Sequence, residues 1–189
     1  VYEANITVFD ALKKSDYDTK GKFYLERYVS AHAIMVSFEG IPGIYFNSIF
    51  GTSNDEAKFI ITGNNRDVNR YKWNLKNITS KLKNKRTKQN IFYQNICNLL
   101  NIRRKQKAFH PNALRINLNY GQKIYAFKRV SIDKKQTITC ITNLSSKIQK
   151  IKINKKNQKM KNLMASKIHI EDKKFLVLKP FETIWLSNQ

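Results

Sequence analysis

The apolar pattern of this chain changes period once, at Phe109-His110-Pro111-Asn112, and the change separates two stretches that cannot share a fold class. Before it, core-type positions recur at helical spacing. Leu25, Tyr28, Val29, His32, Met35 and Val36 form one such set between Lys22 and Phe38, and Ile91, Phe92, Ile96, Leu99, Leu100 and Ile102 form a second. The second set ends in Arg103-Arg104-Lys105, the charge that a helix C-terminus favours. After the change the period is two. The spacing predicts strands over Leu114–Asn119, Lys123–Val130, Gln136–Asn143, Ile148–Asn154, Phe175–Lys179 and Thr183–Leu186, with turn residues between them. These amount to an antiparallel β domain of roughly 75 to 80 residues. Helical periods followed by a run of strands argue for two domains of different class.

The first stretch also carries a short β signal. Tyr2 to Val8 reads as extended and leads into Phe9-Asp10-Ala11-Leu12, then a polar linker from Lys13 to Gly21. Gly40 stops the first helix, Pro42 and Gly43 make a turn, and Gly43-Ile44-Tyr45-Phe46 reads as a buried strand. A long polar loop ending in Asn69-Arg70 follows, and Leu75 to Lys88 is Lys-rich without a clear stripe. A short apolar strand feeding a loop of polar and cationic groups is how a β/α barrel builds the rim of a ligand pocket. At 189 residues the chain is too short for a whole (β/α)8 barrel, which needs about 200 at minimum. It begins with Val1, so it is expected to be processed or part of something longer.

The formal net charge of +23 invites a nucleic-acid reading. The composition argues against it: 28 of the 36 basic residues are Lys and eight are Arg, and they are strewn through every segment. Base-edge readers and phosphate clamps favour the planar Arg fork, so compositional drift explains the charge better and no nucleic-acid partner is expected. No run of about 18 apolar residues exists and no signal-peptide pattern opens the chain, so no membrane partner is expected. Cys97 and Cys140 stand alone, without CxxC or His neighbours, and read as small buried hydrophobes in a reducing, cytoplasmic setting. His32, His110 and His169 lack metal-ligand spacing. The aromatics of the β region, Tyr120, Tyr125, Phe127, Phe175, Phe181 and Trp185, sit mostly at alternating positions, which core packing explains before a stacking platform does.

Five pieces of sequence carry a family resemblance. They are Tyr2-Glu3-Ala4-Asn5-Ile6-Thr7, Gly40-Ile41-Pro42-Gly43-Ile44-Tyr45-Phe46, Gly51-Thr52-Ser53-Asn54-Asp55, Asn65-Arg66-Asp67-Val68-Asn69-Arg70, and the stretch from Asn101 to Ala113. In this order they resemble the sucrose phosphorylase group, a branch of the family 13 α-amylase-like enzymes that includes sucrose, glucosylglycerate and glucosylglycerol phosphorylases. The resemblance implies a fold that is α/β plus all-β: the C-terminal part of a (β/α)8 barrel followed by a small antiparallel β domain. Residues 1–108 would hold the seventh helix (22–38), the eighth strand (43–46) and the eighth helix (88–107), with residues 109–189 as the β domain. Val1 would fall just after the seventh barrel strand.

The reaction implied is phosphorolysis with retention, in which glucosyl passes from an α-glucoside to phosphate and gives α-glucose 1-phosphate. Retention needs a nucleophilic carboxylate and a carboxylic acid roughly 5 Å apart. In the family these, and a third stabilising carboxylate, lie upstream of the position matching Val1. No catalytic residue is therefore expected here, and the isolated chain is expected to be inactive. What remains is part of the substrate cup. Arg70 matches the arginine that holds a glucose hydroxyl, with Asn69 and Asp67 as its support, and Tyr2 and Glu3 match the mobile acceptor-side loop. Glu3 stands where sucrose phosphorylases usually carry Gln, and with the Ser53-Asn54-Asp55 turn it resembles more the branch acting on glucosylglycerate or glucosylglycerol. No metal or organic cofactor is implied, and phosphate is a cosubstrate. The partners implied are a small carbohydrate, phosphate and the N-terminal remainder of the barrel. Two alternatives stay open: a non-catalytic basic or carbohydrate-binding module, and half of a split enzyme, whose apolar faces would demand a partner.

Overall fold

A computed structural model describes residues 4–153, 160–164 and 168–189. The chain divides into two compact units, Val1–Tyr28 with Gly43–Cys97, and Val29–Pro42 with Asn98–Gln189. The division cuts through both long helices, α2 (Tyr24–Ser37) and α6 (Lys88–Arg103).

The first unit is helical. Thr7 caps α1 (Val8–Leu12) by accepting a hydrogen bond from the Asp10 N–H, so Val8 is helical where an extended run from Tyr2 to Val8 was expected; Tyr2 and Glu3 of that run lie outside the described residues. Asp18 organises the polar linker. Its carboxylate accepts the Lys22 and Phe23 N–H groups, both at 2.9 Å, and pairs with Arg27 at 2.7 Å. Arg27 also donates to the carbonyls of Leu12 (2.8 Å) and Lys13 (2.6 Å). The core is aromatic: Phe92 packs on Tyr28 with ring centroids 4.5 Å apart and on Phe9 at 5.6 Å, edge-on. Ile78 of α5 (Leu75–Lys83) is the buried residue of a helix whose Asn74 cap accepts from the Asn77 N–H.

Two expectations fail in this unit. Residues 43–45 form no strand, Tyr45 and Phe46 are more than half exposed, and Phe46–Ile49 is a single helical turn, α3. The physical reason is that a strand exists through its ladder, and among the described residues no strand precedes Leu114 for this segment to pair with. The long polar loop is likewise not irregular. It holds α3, α4 (Glu56–Thr62) and a 3-10 turn over Asn65–Asn69.

In the second unit, strands β1 (Leu114–Asn119), β2 (Ile124–Val130), β3 (Thr137–Asn143), β8 (Thr183–Ser187) and β5 (Lys161–Asn162) form one antiparallel sheet in the order β1-β2-β3-β8-β5. Strands β4 (Gln149–Lys152), β7 (Phe175–Leu178) and β6 (His169–Glu171) form a second. The register pairs Phe127 with Cys140 and Cys140 with Trp185. A core of Ile124, Ile141, Ile151, Leu176, Leu178 and Ile184 draws on both sheets. The six predicted strands are all present, within a residue or two at their ends; the predicted Asn154 lies outside the described residues. Phe127 and Trp185 are buried as core.

Two buried arginines close the C-terminus of α2. Arg103 donates to the carbonyls of Val36, Phe38 (3.1 Å) and Gly40 (2.8 Å). Arg129, with no exposure at all, donates to Ser37 (2.7 Å), His110 (2.8 Å) and Ala113 (3.1 Å). The last carbonyls of a helix have no partner inside it and carry its partial negative charge, so a guanidinium there satisfies both needs.

Candidate functional site

The segment from Asn47 to Arg70 is held by side chains on both sides of it. Asn54 faces α1: its Oδ1 accepts the Thr7 N–H at 2.8 Å, and its own N–H donates to Asp10 Oδ2 at 2.5 Å. Lys88, the first residue of α6, donates to Ser53 Oγ at 3.0 Å and lies 3.8 Å above the centroid of the Phe9 ring. Burial lowers the Lys88 pKa, and the carboxylate of Asp10 opposes that shift. Further along, the Asp55 N–H donates to the Val68 carbonyl at 2.8 Å, and Trp73 Nε1 donates to Thr52 Oγ1 at 3.1 Å.

Gly51 opens this turn with φ +57, and a Cβ there would stand 2.2 Å from Phe92 Cδ2. Only a residue without a side chain allows the backbone so close to that ring. Asp55 then caps α4 through the Lys58 N–H, and Gly63 ends it at φ 66 with its N–H on the Phe59 carbonyl. Asn64 caps the 3-10 turn through the Arg66 N–H. Local capping thus builds the segment without a buried side chain from α4.

The candidate residues fall as follows. Arg70 is exposed at the end of the 3-10 turn, and its guanidinium makes no hydrogen bond or ion pair with any described residue. Asn69, half-buried, lines a cavity of about 220 Å³. Asp67 binds Lys58 Nζ at 2.7 Å and Thr62 Oγ1 at 2.8 Å, so its carboxylate ties the 3-10 turn to α4. Those two hydrogen bonds, Lys58 first, hold its pKa below the usual carboxylate range. Tyr2 and Glu3 lie outside the described residues.

Sequence reading did not single out the polar wall beside Asn69. Thr7, Asn47, Ser48 and Thr52 share its cavity, and Ile6, Val8 and Tyr45 supply apolar surface. Asn47 is 4 % exposed. Its amide nitrogen donates to the Tyr71 carbonyl at 2.9 Å, and its Oδ1 accepts nothing from the described residues. An Asn directly after an apolar run was the available signal.

Among the described residues, no group of His, Cys, Asp and Glu side chains could hold a metal ion, and no helix is long and apolar enough to cross a membrane. Both cysteines are free.

No family model matches the chain. Among curated proteins it is 31% identical over 186 residues to the glucosylglycerate phosphorylase of Escherichia coli, covering 98% of this chain and 32% of that protein. It is 28% identical over 187 residues to the enzyme of the same name from Allomeiothermus silvanus, covering 99% of this chain and 31% of that one. A sucrose phosphorylase from Agrobacterium vitis is 35% identical over 71 residues, 38% of this chain and 13% of the enzyme. The chain spans about a third of the length of the first two. Among solved structures, isomaltulose synthase of Erwinia rhapontici in complex with sucrose superimposes with a TM-score of 0.64 at 13% identity, over 98% of this chain and 42% of that one. The α-amylase of an Anoxybacillus superimposes with a TM-score of 0.60 at 18% identity, over 87% of this chain and 32% of that one. The likeness to these solved structures is one of fold, and the order expected, helical elements and then an antiparallel β domain, is the one described, with residues 43–46 forming no strand.

Proposed function

We propose that this chain, related in sequence to the sucrose phosphorylase group, is the C-terminal portion of a retaining glycoside phosphorylase. The observation that carries the reading is the match to glucosylglycerate phosphorylases along nearly the whole of this chain, at about a third of theirs. Residues 1–108 then close a barrel and residues 109–189 are its β domain. The N-terminal remainder of that barrel is the principal partner, and the tilt of the relatives toward glucosylglycerate puts that glucoside, or glucosylglycerol, ahead of sucrose.

In the whole enzyme, an acid from the remainder protonates the leaving oxygen of the aglycone while a carboxylate takes the anomeric carbon. Phosphate then displaces that carboxylate from the opposite side, releasing α-glucose 1-phosphate with net retention. This chain supplies no catalytic carboxylate, and the residues it contributes hold substrate. Arg70 presents fixed N–H donors to a sugar hydroxyl, a role its unengaged guanidinium leaves open. Asn69 stands beside it, Asp67 keeps the turn in place, and the match of Tyr2 and Glu3 to the acceptor-side loop supports a role for them in binding the acceptor. No metal or organic cofactor takes part, phosphate is the cosubstrate, and the free cysteines suit a cytoplasmic enzyme.

The experiment replaces the matched residues of the Escherichia coli enzyme with this chain and compares Arg70→Ala with the unsubstituted chimaera. Loss of a charge-assisted hydrogen bond of about 1.5–3 kcal/mol predicts a fall in kcat/KM of about 10- to 150-fold. An unchanged kcat/KM would refute the role of Arg70.

A further inference from the structure

A groove of about 860 Å³ lies wholly within the second unit, between the end of α6, the segment after α2 and the β2–β3 turn. It shares no residue with the candidate site. We propose that it binds a small amphipathic carboxylate, an anion with an extended apolar tail. Nothing in this depends on the phosphorylase reading.

The walls are fixed before any ligand arrives. Arg103, 8 % exposed, ties the end of α6 to the Phe38 and Gly40 carbonyls, and the Gly40 N–H donates to the Pro111 carbonyl at 3.0 Å. Phe109 packs edge-on against buried Trp185, with ring centroids 4.9 Å apart. On the turn side, the Ala108 N–H donates to Gln136 Oε1 at 2.9 Å, and Gln136 Nε2 donates to Gln106 Oε1 at 2.7 Å. A preformed concave site spares the ligand much of the ordering cost of binding.

The lining is apolar, and its free polar groups are donors. Ile41, Leu100, Phe109 and Ile132 line the groove together, and Ile41 is 87 % and Ile132 63 % exposed. Single exposed aliphatic side chains are ordinary, but two on one concave apolar surface leave a place for a tail. Arg104 and Lys105 are exposed, and their side chains make no hydrogen bond or ion pair with any described residue. His110 Nδ1 accepts the Asn112 N–H at 3.1 Å, which puts the proton of the neutral ring on Nε2 as a further free donor.

Charge and size set the class. The one carboxylate of the lining, Asp133, is already taken up by the Ser131 hydroxyl (2.6 Å), the Lys135 N–H (3.1 Å) and Lys107 Nζ (3.3 Å), so it offers a cation little. A carboxylate head instead matches the guanidinium fork of Arg104 and the ammonium of Lys105. Asp133 on the same lining favours a single negative charge over a double one. The volume falls within the range of about 300–1,000 Å³ that holds a drug-sized ligand, so one small molecule fills it.

The test is isothermal titration calorimetry of the full chain with sodium decanoate below its micelle concentration, with decyltrimethylammonium bromide and sodium acetate as controls. The expected result is saturable binding of decanoate that weakens as salt rises, and no binding of either control. Ile132→Ser removes apolar surface and should weaken binding about tenfold; the residue is exposed, so folding does not depend on it. Arg104→Gln combined with Lys105→Gln should also weaken binding about tenfold and flatten its salt dependence. Absence of saturable binding, or equal binding of decyltrimethylammonium or of acetate, would overturn the proposal. So would a decanoate isotherm that both variants leave unchanged, which would place the binding elsewhere on the basic surface. A response to phosphatidylglycerol vesicles without one to monomeric decanoate would assign the groove to a membrane surface and overturn it as well.

Discussion

Replacing Gly51 by Ala probes the packing that sets the turn of the candidate site. Two penalties apply. At φ +57 a residue with a Cβ sits in the left-handed region, which costs about 1–2 kcal/mol. The new Cβ would also lie 2.2, 2.6 and 2.9 Å from three atoms of the Phe92 ring, where carbon atoms ordinarily rest about 3.5–4.0 Å apart. Phe92 is 1 % exposed and wedged against Phe9, Tyr24 and Tyr28, so the ring has nowhere to turn. Overpacking of this kind costs about 1–3 kcal/mol. Gly63 is the control in the same unit, because its φ is +66 and a Cβ there meets nothing within 4 Å. Gly63→Ala should then cost about 1–2 kcal/mol and Gly51→Ala about 2–5 kcal/mol. Urea unfolding followed by circular dichroism measures both, with the linear extrapolation applied at a common slope. Equal losses within about 0.5 kcal/mol would refute the claim that Phe92 sets the position of this turn.

Other consequences are testable on the same chain. Arg103→Met leaves three carbonyls at the end of α2 without their donor, and should destabilise by about 1–3 kcal/mol in urea titration; a loss under about 0.5 kcal/mol would contradict the capping role. Asp18 has its pKa lowered from 3.8 to about 2, chiefly by the Arg27 hydrogen bond and then by the Phe23 N–H. A depressed carboxylate contributes stability that is present above its unfolded pKa and is lost as pH falls from about 4 through about 2, so Asp18→Asn should flatten the fall of Tm over that window. Iodoacetamide should label the partly exposed Cys97 in the native chain and leave Cys140 untouched, since burial pushes the Cys140 thiol up; labelling of both without denaturant would show that β3 opens.

The β domain was legible because β-branched and aromatic residues recur in short runs between turn residues; β7 alternates in burial, whereas β3 and β8 are buried along almost their whole length. Leu114–Asn119 reads out to the residue, while β5 and β6, of two and three residues, are too short to show a period. The segment at Ile44-Tyr45-Phe46 misled for the opposite reason. Its composition is that of a strand, but a strand needs a neighbour, and the described chain offers none in that unit. Helix α4 escaped notice because it buries no side chain, so Phe59-Ile60-Ile61 gives no stripe and only the Asp55 and Gly63 caps mark it. The basic end of α6 suggested a helix terminus correctly. That Arg103 and Arg129 turn inward to cap α2 depends on chain separations of 63 to 67 and of 92 residues, which no local pattern reveals.

The central claim is that this chain completes a phosphorylase and lacks its catalytic carboxylates. The measurement that bears on it most directly is release of α-glucose 1-phosphate from glucosylglycerate and phosphate, by the chain alone and by the Escherichia coli enzyme carrying this chain in place of the residues it matches. The account predicts no release from the chain alone and release of the α-anomer from the chimaera. Release by the chain alone, or a chimaera that melts cooperatively and yields no α-glucose 1-phosphate, would contradict it.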